Sequence, residues 1–234
     1  MIISFFEEFP NKKNLTKLNF ITFPTKLYLA ATSYKEFQKI KQSIKNKHVK
    51  ELIYWPILEI KEGYWISPFS QRTALKRILN EIPTNQPVML DLELPTTKNP
   101  LLYLTQLFNF SCNKKLIRQF ISQHRTVYAA EYYPKKQKFL QFLGLHFPHT
   151  KVIKMMYHSM HHFNEEFVKK ELQNLQFVAY GTIATGIGGN EPLLTTSQLK
   201  KDLQLAQEAK LKEVIIFRLG GLNQKYPNIL KQFQ

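Results

Sequence analysis

Short runs of apolar and β-branched residues alternate with amphipathic stretches along the chain. Eight runs have the length of a β-strand: 2–8, 26–31, 51–57, 87–93, 125–133, 151–158, 177–184 and 213–219. Their apolar residues are nearly continuous, which is typical of parallel strands covered on both faces. Most runs are followed by a segment with helical spacing. In one of these, Leu199, Leu203 and Leu205 form an apolar stripe behind Thr195, which predicts a capped helix with Asp202 on its solvent side.

Eight strand–helix repeats in 234 residues predict an α/β protein with a closed (β/α)8 barrel, the TIM-barrel fold. An open doubly wound sheet would usually carry a GxGxxG turn after its first strand, whereas here the first strand runs into Glu7-Glu8-Phe9-Pro10. No linker, low-complexity tract or short repeat interrupts the chain. We therefore expect a single domain over residues 1–234.

The composition narrows the class of protein. The chain has 33 Lys and Arg against 17 Asp and Glu, a net charge of +16, and 44% hydrophobic residues. Such a chain can bury a large core, which excludes disorder. Only five of the basic residues are arginines, whereas proteins that read nucleic acids depend on arginine for bidentate contacts. The composition therefore favours a generally basic surface and disfavours a nucleic-acid partner, and an anionic partner of that surface stays open.

The ends and the single cysteine bear on the compartment. Cys112 is the only cysteine, so an intramolecular disulfide or a CxxC site is excluded. The first residues lack a basic segment, and Glu7 and Glu8 interrupt their apolar run, unlike a signal peptide. No segment approaches the ~20 apolar residues of a membrane span. We expect a cytoplasmic protein without a membrane partner, and the oligomeric state stays open.

Two carboxylates close the fourth predicted strand. Asp91 and Glu93 are two residues apart, so they project from one face while the neighbouring leucines project from the other. The leucines need the outer helix layer, so the carboxylates are expected at the barrel mouth, where such barrels carry their active sites. Repulsion between the two acids should raise the pKa of one of them, as a general acid requires. The alternative is a structural ion pair with Arg218 or a lysine.

Polar and aromatic residues end other predicted strands. Glu131 ends the fifth, and one of Glu7 and Glu8 should face inward from the first. A ring of carboxylates suits either glycoside hydrolysis or a hard divalent cation. No cofactor is predicted, and a metal-dependent enzyme is kept as an alternative. Further candidates for contact with a ligand, several with rings that can stack on a sugar, are Trp55, Trp65, Tyr133, Tyr157, His158 and Arg218.

Glycines cluster after the last two predicted strands, at Gly186, Gly188, Gly189, Gly220 and Gly221. In this fold the loops after strands seven and eight commonly bind phosphate through backbone N–H groups. An alternative function is therefore that of a lyase, isomerase or aldolase acting on a phosphorylated metabolite. No lysine lies at a strand end, which disfavours a Schiff-base aldolase.

Two segments resemble the chitinase-type glycoside hydrolases. Leu90-Asp91-Leu92-Glu93 is similar to the end of their DxxDxDxE signature on strand four, and Met155-Met156-Tyr157 resembles their Met-x-Tyr-Asp on strand six. The resemblance implies that Glu93 is the general acid, that Asp91 orients the 2-acetamido group of the substrate, and that Tyr157 binds this group during cleavage.

The chain departs from the family pattern at three aspartate positions, which are Gln86, Met89 and His158 here. The sequence predicts a glycosidase-like barrel enzyme that acts on a small-molecule or oligosaccharide ligand. Glu93 would donate a proton to the glycosidic oxygen. Asp91 or Glu131 would stabilise the developing positive charge or act as the nucleophile. A non-catalytic binding barrel is a further alternative.

Overall fold

The strands and helices alternate along the chain in the order that the apolar runs predict. The computed structural model describes residues 1–97, 100–132 and 137–234, without the side chain of Tyr132. Within these ranges eight strands pair side by side in chain order and close into a barrel. The strands are β1 (Ile2–Glu7), β2 (Thr25–Ala31), β3 (Val49–Pro56), β4 (Val88–Asp91), β5 (Val127–Tyr132), β6 (Lys151–Met155), β7 (Phe177–Gly181) and β8 (Glu213–Phe217).

Helices occupy the segments between the strands. They are α1 (Lys12–Leu15), α2 (Tyr34–Ser43), α3 (Arg72–Asn80), α4 (Leu101–Leu107), α5 (Phe110–Gln123), α6 (Gln137–Leu143), α7 (Glu165–Leu172), α8 (Thr196–Glu208) and α9 (Pro227–Lys231), with 3₁₀ turns at Thr16–Phe20, Ile60–Glu62 and Leu219–Gly221. The predicted cap of α8 is confirmed, because Thr195 Oγ1 accepts the N–H of Gln198. The closed (β/α)8 barrel is confirmed as well.

Contacts along the chain group its residues into two compact units. The first unit comprises Met1–Leu29, Lys41–Leu52 and Ile153–Gln234, and the second comprises Ala30–Ile40 and Ile53–Val152. The single domain over residues 1–234 stays a prediction, and the two units are described in turn.

In the second unit, the helix layer identifies the outer face of the strands. The ring of Tyr54 on β3 stacks on Phe37 of α2 at 4.9 Å, so Tyr54 points towards the helices. Val88 pairs with Tyr54 in register, and alternation then puts Leu90 on the same outer face. Asp91 therefore lies on the inner face of β4, as its spacing from the leucines predicted.

In the first unit, a charged cluster joins the ends where strands begin. Glu213, the first residue of β8, is 3.0 Å from Lys26 Nζ and accepts the hydroxyl hydrogen of Tyr28 at 2.8 Å. Lys26 also pairs with Glu51 of β3 at 3.2 Å. Glu213 is buried, so these contacts compensate the cost of removing its charge from water. The cluster therefore serves stability, since reactions in this fold take place at the other end of the barrel.

Strand β4 is shorter than its apolar run. The last backbone hydrogen bond at this point is donated by Leu92 N–H to Ala130 C=O at 3.3 Å, and Pro95 has no N–H with which to continue the pairing. Glu93 therefore lies beyond the strand. Leu94, which the alternation assigned to the outer helix layer, is instead exposed.

Candidate active site

The two carboxylates at the end of β4 are largely withdrawn from water. Asp91 is the last residue of the strand and is 6% exposed. Glu93 is half-buried, and burial raises its pKa to about 7. The spacing of the two acids predicts that repulsion by Asp91 raises the pKa of one of them. The largest cause of the raised pKa of Glu93 is burial instead. A carboxyl group with this pKa can both donate and accept a proton near neutral pH.

Arg218, the cation proposed as a structural partner for these acids, contacts other groups. Its Nη1 atom lies 3.0 Å from Glu7 Oε1, and its Nε donates to the C=O of Thr185 at 2.8 Å. The guanidinium also lies over the ring of Phe9, 4.8 Å from its centroid. Arg218 is thus held in the first unit by an ion pair, a carbonyl and a ring.

Glu7 is the centre of a buried network at the end of β1. Its carboxylate accepts hydrogen bonds from Phe9 N–H, Asn14 Nδ2, Gly220 N–H and Arg218. Burial raises the pKa of Glu7, against the lowering effects of Arg218 and of the other donors. So many donors fix the carboxylate in place, which is the behaviour of a structural group.

The register of β1 decides which of its two terminal acids faces inward. Glu7 contacts Asn14 on the helix side, so alternation puts Glu8 on the inner face. Glu8 is buried, and a Cβ added to Gly186 would lie 2.7 Å from Glu8 Oε2. A glycine at position 186 thus leaves the space that the Glu8 carboxylate occupies.

The two tryptophans stack on each other in the second unit. Their rings are nearly parallel, at 4° and 6.1 Å between centroids, and Trp65 Nε1 donates to Thr96 Oγ1 at 3.1 Å. Trp55 and Trp65 are 1% and 7% exposed. Rings this buried present little face on which a sugar could stack, so the two tryptophans pack mainly against each other.

Glu131 lies on the opposite face of the sheet from Asp91. Leu90 pairs with Ala129 in register, and alternation puts Glu131 on that same outer face. The Glu131 carboxylate is fully buried, and its Oε1 atom lies 2.5 Å from Nδ1 of His146. Gln137 Nε2 donates to Nε2 of His146 at 2.8 Å, so Nδ1 carries the hydrogen that is donated to Glu131. His146 was missed by the sequence reasoning; its one signal is a histidine between two apolar neighbours.

Tyr157 and His158 follow β6 and face different sides. The Tyr157 ring is buried and packs 5.9 Å from Phe217. His158 Nδ1 lies 3.0 Å from Asp202 Oδ1 of α8, to which Gln198 Nε2 also donates at 2.8 Å. Asp202 is fully buried, which corrects the prediction that it lies on the solvent side of its helix. The spacing of hydrophobic residues cannot predict that a polar residue is buried because it pairs with a histidine far away in the sequence.

A cavity of about 360 Å³ adjoins His158 between α7 and α8. Its polar lining includes His162, Gln198 and Lys201. Lys201 is itself paired with Glu165 at 2.7 Å. His158 therefore faces the helix layer and this cavity.

The five glycine amides predicted to cradle a phosphate already donate to acceptors within the protein. Glu191 accepts the N–H groups of Gly186 and Gly188 at 3.2 and 3.0 Å. The others donate to the C=O of Gly186 (from Gly189), to Glu7 Oε2 (from Gly220) and to the C=O of Arg218 (from Gly221). A carboxylate thus occupies the position that an anion would need in each loop. The structure gives no support to the phosphate site.

Other predictions concern metals, membranes and Tyr133. In the three described ranges, no group of three or more His, Cys, Asp or Glu side chains is arranged to hold a metal ion. None of the helices described above is long and apolar enough to cross a bilayer. Tyr133 lies outside the described residues.

Comparison with known proteins bears on the fold. No protein-family model and no curated protein sequence matches the chain. A chitinase from Bacteroides thetaiotaomicron superposes with a TM-score of 0.55 at 8% identity, over 97% of this chain and 93% of that chain. A GH18 chitinase from Cycas revoluta in complex with (GlcNAc)3 superposes with a TM-score of 0.50 at 11% identity, over 100% and 99%. The resemblance to chitinase-type glycoside hydrolases is thus confirmed for the fold, a closed (β/α)8 barrel.

Proposed function

We propose that the chain is a glycoside hydrolase in which Glu93 is the proton donor. The observation that carries the proposal is the raised pKa of Glu93, about 7, two residues beyond Asp91 on the inner face of β4. A glycosidase needs one carboxyl group that is protonated near neutral pH and can protonate the leaving oxygen. Burial gives Glu93 that property.

Asp91 is the second carboxylate of the proposed mechanism. It is buried two residues before Glu93 in the sequence, and the proposal assigns it the negative charge that stabilises the oxocarbenium-like transition state or orients a substrate group that assists cleavage. Glu131, the other candidate, is held by His146 on the outer face, and the proposal assigns it no step. The role of Tyr157 in binding an acetamido group stays a prediction.

The fold likeness suggests which substrates to test first. One chitinase of similar fold was solved in complex with (GlcNAc)3, and we propose oligosaccharides of N-acetylglucosamine as the first substrates to test. The paired rings of Trp55 and Trp65 would support the wall of the sugar site without serving as an exposed platform.

The test compares Glu93→Gln with wild type on fluorogenic N-acetylglucosamine oligosaccharides. We expect kcat to fall by about 10²–10⁴-fold, because the amide cannot protonate the leaving group. Wild-type kcat/KM should decline as the pH rises above about 7, since Glu93 then loses its proton.

The matched control is Glu208→Gln, an exposed glutamate of α8. It makes the same change of charge and should leave kcat unaltered. Full activity in Glu93→Gln would overturn the assignment of the proton donor. Absence of hydrolysis by the wild type, with saccharide binding retained in calorimetry, would instead indicate a non-catalytic binding barrel.

A further inference from the structure

Exposed apolar side chains are concentrated in one segment of the second unit. Seven of the twelve large apolar side chains exposed in the described ranges lie between residues 94 and 142. Phe108 is 93% exposed and Phe142 72%. Such concentration is unusual, because a monomeric soluble protein rarely leaves a contiguous apolar area uncovered. We use the name apolar patch for Leu104, Leu107, Phe108, Phe139 and Phe142.

The helices that carry the patch are neighbours. The ring of Phe69 lies 6.0 Å from Tyr103 of α4 and 5.0 Å from Phe110 of α5. Lys114 of α5 donates to the C=O of Phe142 at the end of α6 at 3.1 Å. The start of α5 thus contacts α6 and shares Phe69 with α4, so α4 and α6, the helices that carry the patch, both adjoin α5.

The helix α4 presents its apolar residues outward. Leu102 and Gln106 are its buried side chains, whereas Leu104, Leu107 and the following Phe108 are exposed. Residues 101–123 form two helices rather than one, because α4 ends at Leu107 and α5 begins at Phe110. The break leaves the outer face of α4 without cover from the chain segments described around it.

The charge of the surrounding segment is almost entirely positive. Between residues 94 and 164 the sequence has ten Lys and Arg and a single acidic residue, Glu131. Glu131 is fully buried against His146, so it does not offset the charge at the surface. Lys115, Arg118 and Lys138 are exposed on α5 and α6. The exposed apolar residues of α4 and α6 therefore adjoin exposed cations of α5 and α6.

We propose that the apolar patch docks on the surface of a membrane that contains anionic lipids. Exposed Leu and Phe side chains insert into the boundary between headgroups and acyl chains, and flanking cations are attracted to anionic headgroups. The sequence predicts no membrane partner, because it has no apolar segment long enough to span a bilayer. Peripheral docking needs no such segment, and its apolar face becomes visible only when the exposure of each side chain is known.

Charge complementarity favours an anionic lipid surface over a second copy of the chain or a nucleic acid as the partner of the apolar patch. A second copy of the chain would bring the same lysine-rich segment against itself, and like charges repel across an interface. A nucleic acid would satisfy the lysines and could stack bases on Phe108 and Phe142, but it offers no apolar partner to Leu104 and Leu107. An anionic lipid surface satisfies both the charge and the apolar side chains.

Co-sedimentation of the full chain with vesicles tests the proposal. Vesicles of phosphatidylcholine with about one third phosphatidylglycerol, which supplies the anionic headgroups, are compared with vesicles of pure phosphatidylcholine. We expect binding to the anionic vesicles that weakens as salt is added. Phe108→Ser combined with Phe142→Ser should reduce it about tenfold or more. Lys115→Glu combined with Lys138→Glu should have a similar effect.

Matched controls come from the first unit. Leu193→Ser removes an exposed apolar side chain, and Lys200→Glu with Lys225→Glu reverses two exposed charges; both should bind as the wild type does. Absence of binding, or equal binding by patch and control variants, overturns the proposal. A concentration-dependent dimer that Phe108→Ser abolishes, measured by sedimentation, also overturns it, because the patch would then be an interface between copies.

Discussion

The Nδ1 atom of His146 lies 2.5 Å from Oε1 of Glu131, and neither side chain is more than 8% exposed. The histidine is held in turn by Gln137. Glu131, which the sequence predicts among the carboxylates of the barrel mouth, is thus packed on the helix side of β5.

We expect His146→Ala to destabilise the fold by about 3–5 kcal/mol, because it leaves a buried carboxylate without this donor. Urea denaturation measures the free energy of unfolding, and His162→Ala, an exposed histidine, is the control. Catalytic constants of the folded fraction should change little. Unchanged stability would show that the pair contributes nothing.

The raised pKa of Glu93 predicts how stability depends on pH. Its pKa in the folded state, about 7, exceeds the ordinary glutamate value of 4.5, so the folded state binds the proton more tightly than the unfolded state does. The resulting penalty is absent below pH ~4.5, grows as the pH rises to about 7, and is then up to about 3 kcal/mol. Glu93→Gln should remove this pH dependence and be more stable than wild type at pH 8. The measurement is the free energy of unfolding at pH 5 and 8 for both proteins. The prediction is wrong if the change between the two pH values is the same in Glu93→Gln as in wild type.

His158 and Asp202 should be energetically coupled. Their atoms lie 3.0 Å apart and Asp202 is fully buried. Removing either side chain deprives the other of this contact. A double-mutant cycle with His158→Ala and Asp202→Ala is expected to give a coupling free energy of about 1–3 kcal/mol. Additive effects would mean that the pair is merely close.

Replacing Gly189 or Gly221 by alanine should destabilise the fold, for a different reason at each position. A Cβ at Gly221 would lie 2.1 Å from the C=O oxygen of Ile183, which is backbone and cannot move aside. At Gly189 nothing lies within 4 Å, but φ is +76°. We expect Gly189→Ala to cost about 1 kcal/mol and Gly221→Ala clearly more, about 2–4 kcal/mol. Thermal unfolding of both variants gives the comparison, and the reverse order would contradict it.

The barrel and the orientation of Asp91 could be predicted because both depend on local periodicity. Strand–helix alternation sets the fold, and leucines on either side of Asp91 set its face. The face of Glu131 could not be predicted, since a run without alternating polarity leaves the direction of each side chain open. Its partner His146 is 15 residues away, and only the packed structure brings the two together.

The burial of Asp202 and the exposure of Phe108 depart from hydrophobic spacing in opposite directions. Asp202 is buried because His158 and Gln198 contact it. Phe108 is exposed because the helix ends just before it. Spacing describes one element at a time, whereas these positions are decided by what lies against the element.

The Glu7 network has a consequence for the order of events during synthesis. Its donors at Arg218 and Gly220 lie 211 and 213 residues further along the chain, and β1 pairs with β8 from Ile2 to Phe6. Of the eight barrel strands, β1 leaves the ribosome first, and its edge towards β8, with a buried acid at its tip, stays open until β8 has emerged. Such an edge can recruit other unfinished chains, which makes the speed of closure a factor in the yield of folded protein.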